Sequence, residues 1–205
     1  MSKIKLALIS LLMCGLAMPI MSQTITFSSF ENATIKHPEQ TFYELQIKLK
    51  TESNLTEKAK MLVILAELAY FIDQPDQILI YIKEALSLGL LNSRWHSRAL
   101  VIKARGHYQK RENDLYLLTA QIAYEKAKSQ EVPLIETAAL IELIYANLLT
   151  DNDSQRDTNL TLAAKYLSFL QSGFRKAISM ERYASLLIRL EKYQQAADLF
   201  QQSTA

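Results

Sequence analysis

The sequence predicts an all-α fold in which antiparallel helix pairs stack on one another. Apolar residues recur at helical spacing along most of the chain, and no strand-like alternation of useful length competes. Only four glycines and four prolines occur among 205 residues, which is too few for the many turns of an all-β protein. A small residue, an apolar one four later and an alanine three after that share a helix face, as in Ala120, Tyr124 and Ala127.

Residues 1–22 differ from the rest and are predicted to be a signal peptide. Lys3 and Lys5 precede an apolar stretch, and Ser22 supplies the small residue before a cleavage site at Gln23. An uncleaved membrane anchor is the alternative, but the apolar stretch is short for a span of about 20 residues. We therefore expect an exported protein, periplasmic or secreted.

The sole cysteine, Cys14, lies within this segment. Its surroundings resemble a bacterial lipoprotein box, but Met13 replaces that family's small residue, so we do not expect lipidation. Removing residues 1–22 also removes two lysines and no acid, which leaves 23 − 2 = 21 basic residues against 21 acidic ones. This balance gives no global charge support for a nucleic-acid partner.

The remaining chain divides into a polar arm and a helical domain. Residues 23–37 lack periodicity and are predicted to be a linker or loosely ordered arm, and residues 38–205 form the helical domain. Prolines at 38, 75 and 133 suit helix starts, and Gly89 suits a helix end. A polar loop is expected from 151 to 159. The expected helices begin near residues 38, 56, 75, 93, 115, 133, 160, 177 and 193.

The helix pairs repeat at an approximately constant spacing. The packing alanine of the second helix occurs at Ala85 and Ala127, which is 127 − 85 = 42 residues, and the later equivalents bring the range to 33–42. Tetratricopeptide repeats have a period of about 34 residues. With Tyr183-Ala184-x-x-Leu187 and Glu191-Lys-Tyr-x-x-Ala196-x-x-x-Phe200, the chain resembles a tetratricopeptide repeat protein from about residue 56 to 202.

The resemblance implies a right-handed α-solenoid. First helices of the pairs would line a concave groove, and second helices would form the convex back. The helix at 39–50 would be a half-repeat or cap. The third repeat does not align clearly with the family's pattern.

No set of residues in the sequence points to catalysis. The three histidines, at 37, 96 and 107, lack partners at metal-binding spacing, and Asp151 to Asp157 departs from a calcium loop. No phosphate-binding glycine loop or nucleophile motif occurs. Glu67, Glu136 and Glu142 are interpreted as isolated, solvent-facing acids. We therefore expect no enzyme activity, no cofactor and no metal.

The basic stretch from Arg94 to Arg111 holds six basic residues and no acid. If Trp95 occupies the family's first packing position, one face of this helix lines the groove together with residues of the preceding first helix. A solvated basic face is the alternative. The predicted ligand- or peptide-binding residues are Lys60, Glu67, Tyr70, His96, Lys103 and His107.

The favoured function is a non-catalytic protein- or peptide-binding scaffold of the extracytoplasmic space. The partner is a protein or peptide, with an acidic one as an option. The membrane is involved only through the signal segment, if that stays uncleaved. One alternative is the sensory input module of a truncated membrane signalling protein, such as a diguanylate cyclase or histidine kinase. A small hydrolase is a further alternative, without a supporting cluster of residues.

Overall fold

The computed structural model describes residues 37–150 and 154–203, and within these residues every regular element is an α-helix. The prediction of an all-α fold built from stacked antiparallel helix pairs is confirmed. The helices are α1 (Pro38–Thr51), α2 (Leu55–Phe71), α3 (Pro75–Ser87), α4 (Ser93–Gln109), α5 (Asn113–Lys128), α6 (Pro133–Leu149), α7 (Arg156–Phe169), α8 (Phe174–Arg189) and α9 (Tyr193–Ser203).

The helices form two layers. After α1, which packs on α2, the pairs are α2/α3, α4/α5, α6/α7 and α8/α9. The first helices of successive pairs also contact one another, α2 with α4, α4 with α6 and α6 with α8. First helices therefore build one layer of an α-solenoid, and second helices build the other.

The same turn joins the two helices in three of the four pairs. Asp73, Arg111 and Glu191 have φ of 54°, 59° and 59°. In each turn the following backbone N–H donates to the carbonyl five residues earlier, which is the Schellman arrangement. The three bonds are Gln74 to Ala69 (2.9 Å), Glu112 to His107 (3.0 Å) and Lys192 to Leu187 (2.9 Å). Successive turns lie 111 − 73 = 38 residues apart and then 191 − 111 = 80, or twice 40.

Small residues allow the helices to approach closely. A Cβ added to Gly106 of α4 would lie 2.9 Å from Cγ2 of Ile78 in α3. The packing alanines Ala85, Ala127 and Ala196 are all buried. Ala196 belongs to the same apolar cluster as Tyr183, Ala184, Leu186 and Leu187 of its partner helix α8, as the repeat pattern predicts.

Two helices begin earlier than their apolar pattern indicates. The structure begins α7 at Arg156 and α8 at Phe174, whereas the sequence predicts 160 and 177. The first turn of α7 is polar and exposed or half-buried, so it carries no apolar signal. The predicted signal peptide (1–22) and nearly all of the arm (23–37) lie outside the described residues. No helix in the described ranges has the length and hydropathy needed to cross a membrane.

Candidate binding groove

A groove lies between the first helices, with residues contributed by α2, α4, α6 and α8. It has a volume of about 540 Å³, part of which is open to solvent. Charged residues and apolar residues both line it. The lining consists of Glu67, Arg94, Arg98, Val101, Ile102, Arg105, Leu134, Ile135, Ala138, Arg175, Ile178 and Ser179.

Helix α4 supplies one complete face to the groove. Arg94, Arg98, Val101 and Arg105 follow one another at three- or four-residue intervals, so they project from the same side of the helix. Asn92 fixes the start of α4, because its side chain accepts a hydrogen bond of 3.1 Å from the backbone N–H of Trp95.

Glu67 of α2 binds two of the groove arginines. Its carboxylate accepts hydrogen bonds from Arg98 of α4 and from both terminal nitrogens of Arg175 of α8, at 3.1 and 3.3 Å. Arg98 also lies over the ring of Trp95, 4.6 Å from its centroid. Burial alone would raise the pKa of Glu67, but Arg175 and Arg98 together outweigh it and hold the pKa well below its usual range.

Glu142 of α6 forms a second cluster deeper in the fold. Its carboxylate accepts hydrogen bonds from Arg105 (2.8 Å), Arg182 (3.0 Å) and the Tyr116 hydroxyl (2.7 Å). Burial would raise the pKa of Glu142, but Arg182 and then Arg105 outweigh it and lower the pKa to about 2. The interpretation of Glu67 and Glu142 as solvent-facing acids is therefore wrong, because each is buried between two arginines.

The guanidinium of Arg182 contacts two aromatic rings that meet edge to face beside it. Its carbon lies 4.2 Å from the centroid of Tyr108 and 4.1 Å from that of Tyr145. Both contacts are within cation–π distance. This second cluster, called the lower cluster below, consists of Glu142, Arg105, Arg182 and Tyr116. It combines ion pairs, a tyrosine hydrogen bond and cation–π contacts.

The two clusters repeat the same plan along the helices. Arg98 and Arg105 are seven residues apart on α4, and Arg175 and Arg182 are seven apart on α8. Seven residues make about two helical turns, so each pair lies on one helix face. Each cluster joins one arginine of α4 to one arginine of α8 through a glutamate. In the cluster that borders the groove, called the upper cluster, this is Glu67 of α2, and in the lower cluster it is Glu142 of α6.

The groove and its floor carry an excess of positive charge. Five arginines (94, 98, 105, 175 and 182) face two glutamates (67 and 142), which gives 5 − 2 = +3. Arg94 is exposed, and among the described residues nothing pairs with it. The described residues include no cluster of acids and histidines that could hold a metal ion. Apolar side chains of α4, α6 and α8 beside the arginines suit a ligand with both acidic and apolar parts.

Three of the sequence-predicted site residues lie on α2. Glu67 is in the groove lining. Tyr70 lies beside it, with its ring centroid 5.4 Å from the guanidinium carbon of Arg105. Lys60 is seven residues before Glu67 on the same face, outside the lining, and pairs with Glu57 of its own helix at 2.7 Å.

The other three, His96, Lys103 and His107, lie on the opposite face of α4. Lys103 follows Arg94 by nine residues, which turns it about 180° around the helix. His107 contacts Glu112 at 2.6 Å, just before α5. Burial lowers the pKa of His96, and Lys126 of α5 lowers it further. A binding role for these three residues stays a prediction.

The predicted site residues include none of the arginines that line the groove, which are Arg94, Arg98, Arg105 and Arg175. The predicted groove face depends on Trp95 taking the family's first packing position. In the structure Trp95 is half-buried against the apolar core, and Arg98 lies over its ring. A signal for the groove face is nevertheless present in the sequence, because the basic residues on that face are all arginines. On α4 the arginines at 94, 98 and 105 share a face, and two arginines on α8 repeat the seven-residue spacing.

Comparison with known proteins supports the fold. No protein-family model matches the chain, and no curated protein sequence does so. The crystal structure of the apo form of RapI is similar, with a TM-score of 0.57 and 15% sequence identity. The match covers 82% of this chain and 48% of that one, so the chain spans about half of RapI's length. At this identity the likeness shows the helical repeat fold alone.

Proposed function

We propose that this chain is a non-catalytic scaffold that binds a peptide or a segment of a partner protein in the groove between its first helices. The observation that carries the proposal is the excess of arginine beside an apolar wall in that groove. An acidic segment with apolar side chains complements both features.

The two parts of the groove would contribute differently to binding. Leu134 and Ile178 are half-buried and offer apolar surface, whose burial by a ligand contributes affinity. The arginines select acidic ligands and speed their encounter, and an exposed arginine such as Arg94 makes that effect sensitive to salt. C-terminal or side-chain carboxylates suit guanidinium groups because both are planar and form paired hydrogen bonds.

The proposed place of action is outside the cytoplasm. This part of the proposal is supported only by the sequence of residues 1–22, with its two lysines and its apolar stretch. Fractionation of cells that express the full chain, followed by mass determination, tests it. We expect an exported chain that begins at Gln23. A chain that keeps Met1 in the cytoplasm would contradict the location without affecting the groove.

Selection from a random octapeptide library tests the binding function. Peptides retained by the wild-type protein at low salt should be enriched in Asp, Glu and apolar residues, and retention should fall as salt is added. An unbiased or basic set of peptides would sink the proposal.

Two variants of α4 locate the binding face. Arg94→Gln removes an exposed groove charge, whereas Lys103→Gln removes a charge from the opposite face of the same helix. We expect the first variant to weaken retention of the selected peptides and the second to leave it unchanged. The reverse result would place the ligand on the face that carries His96 and His107.

A further inference from the structure

Glu67 holds the groove arginines in the way that a ligand carboxylate would. It lies in the groove lining, and its carboxylate accepts hydrogen bonds from Arg98 and Arg175. These are the donors that an acidic ligand needs, together with the exposed Arg94. The protein therefore supplies one internal carboxylate to its own anion-binding groups.

We propose that Glu67 is an internal competitor for the ligand, and that an incoming carboxylate displaces it from Arg175 and Arg98. The inference rests on the proposed function, since it describes the regulation of the same groove. Exchange of one carboxylate for another keeps the arginine hydrogen bonds, while Glu67 turns towards water. The ligand-free protein is thus held in a state of lower affinity.

The same exchange would loosen the solenoid. Glu67 and Arg175 are 108 residues apart, and in the layer of first helices α4 and α6 lie between α2 and α8. Their ion pair therefore spans the groove, from α2 on one side to α8 on the other. When a ligand takes Arg175, this bridge breaks, and α2 is no longer fastened to α8.

Partial exposure makes the upper cluster suitable for exchange. The Arg175 side chain is 21% exposed, whereas that of Glu67 is 7% exposed, so a ligand in the groove reaches the pair through Arg175. Glu142 is fully buried, and its partner Arg182 is 9% exposed and contacts the rings of Tyr108 and Tyr145. No ligand can replace Glu142 without unpacking the core, so competition is confined to Glu67.

A binding measurement tests the competition. The probe is a fluorescein-labelled octapeptide of alternating leucine and glutamate, with a leucine–glutamine octapeptide as reference. Glu67→Gln keeps the size of the side chain but removes its charge. We expect it to bind the glutamate peptide about 5- to 150-fold more tightly than the wild type, which is the usual range for coupled binding events. Glu57→Gln, on a half-buried pair of the same helix outside the groove lining, is the matched control and should bind as the wild type does.

The outcomes separate the two proposals. If the wild type prefers the glutamate peptide but Glu67→Gln binds it no better, the competition is wrong and the proposed function stands. If neither protein prefers the glutamate peptide to the glutamine one, both proposals fail. A circular-dichroism melt establishes that each variant is folded at the temperature of the measurement.

A distance measurement in the wild-type groove covers the case in which Glu67→Gln fails to fold. Spin labels on Leu55→Cys of α2 and Glu181→Cys of α8, both at exposed positions, report the separation of the two helices. Cys14→Ser leaves no other cysteine in the sequence. Saturating glutamate peptide should shift the distances to longer values, as should Arg175→Gln without peptide. If the distance between the two spin labels does not change when the peptide binds, the proposal that the ligand displaces Glu67 from Arg175 is wrong.

Discussion

Glu67 and Glu142 have the same kind of partners but different surroundings. Each carboxylate is held by one arginine of α4 and one of α8, and each has a pKa well below that of an ordinary glutamate. Glu142 is fully buried beside Tyr116, and its partner Arg182 contacts Tyr108 and Tyr145, whereas Glu67 borders the groove. On the proposed competition, ion pairs of this kind form a fixed core when they are enclosed and an exchangeable contact when a groove reaches them.

The energetics follow from this difference in access. Removing one member of a buried ion pair leaves the other charge without compensation and without water, which is why the cost is large. At the groove, water or a ligand can solvate the arginines that lose their partner. The lower cluster should therefore dominate stability, and the upper cluster should dominate binding.

The largest expected effect is on the lower cluster. Glu142→Gln should lower the free energy of unfolding by about 3–5 kcal/mol, because Arg105 and Arg182 would stay buried with too little negative charge. Glu67→Gln should cost clearly less, since its arginines are partly exposed. Urea unfolding of both variants measures the difference, with Glu57→Gln as the control for a half-buried ion pair within one helix. If Glu142→Gln and Glu67→Gln lower the free energy of unfolding equally, the two clusters do not differ in their contribution to stability.

Acid should weaken the lower cluster in a defined window of pH. The folded pKa of Glu142 is about 2, compared with an ordinary 4.5. Because the folded pKa is lowered, the stabilisation is complete above pH 4.5 and is lost as the pH falls from 4.5 towards 2. Its size is on the order of 3 kcal/mol.

Unfolding at a series of pH values tests this expectation. The Glu142→Gln variant should lose stability less steeply than the wild type between pH 4.5 and 2, because it lacks this titrating group. A variant with the same slope as the wild type would show that other carboxylates cause the acid sensitivity.

A smaller loss of stability is expected when the tyrosine that hydrogen-bonds to Glu142 is changed. Tyr116→Phe removes the hydroxyl that donates to Glu142 at 2.7 Å but keeps the buried ring. Loss of a hydrogen bond to a buried charged group costs about 1–3 kcal/mol. The same denaturant series measures it, and a loss comparable to that of Glu142→Gln would show that the hydroxyl, more than the arginines, holds the carboxylate.

The helices could be predicted from the sequence because their signals are local. Pro75 and Pro133 begin helices, and Gly89, with φ of 66°, ends one, as expected. The repeating turns also lie within the predicted range of spacing. The first turn of α7 is not predicted, because its polar residues resemble those of a loop.

The groove face could not be predicted in the same way. Which side of α4 lines the groove depends on how the helix is rotated between α2, α3 and α6, and this is set by contacts such as Gly106 against Ile78. The pairing of Glu67 with Arg175 joins residues 108 positions apart, so no local pattern contains it. Charge patterns indicated a basic helix, while the acids buried opposite its arginines appeared isolated.

Arg94 provides the smallest expected change in stability and completes the comparison. It is exposed, and nothing among the described residues pairs with it, so Arg94→Gln should change the free energy of unfolding by no more than about 0.5 kcal/mol. The same substitution should weaken binding of the leucine–glutamate peptide, mostly at low salt, because an exposed charge acts over about 10 Å at 0.1 M ionic strength. Anisotropy titrations at 50 and 500 mM salt measure this, with Lys103→Gln as the control on the opposite face. If Arg94→Gln binds as the wild type does at both salt concentrations, the groove attracts its ligand through the paired arginines alone.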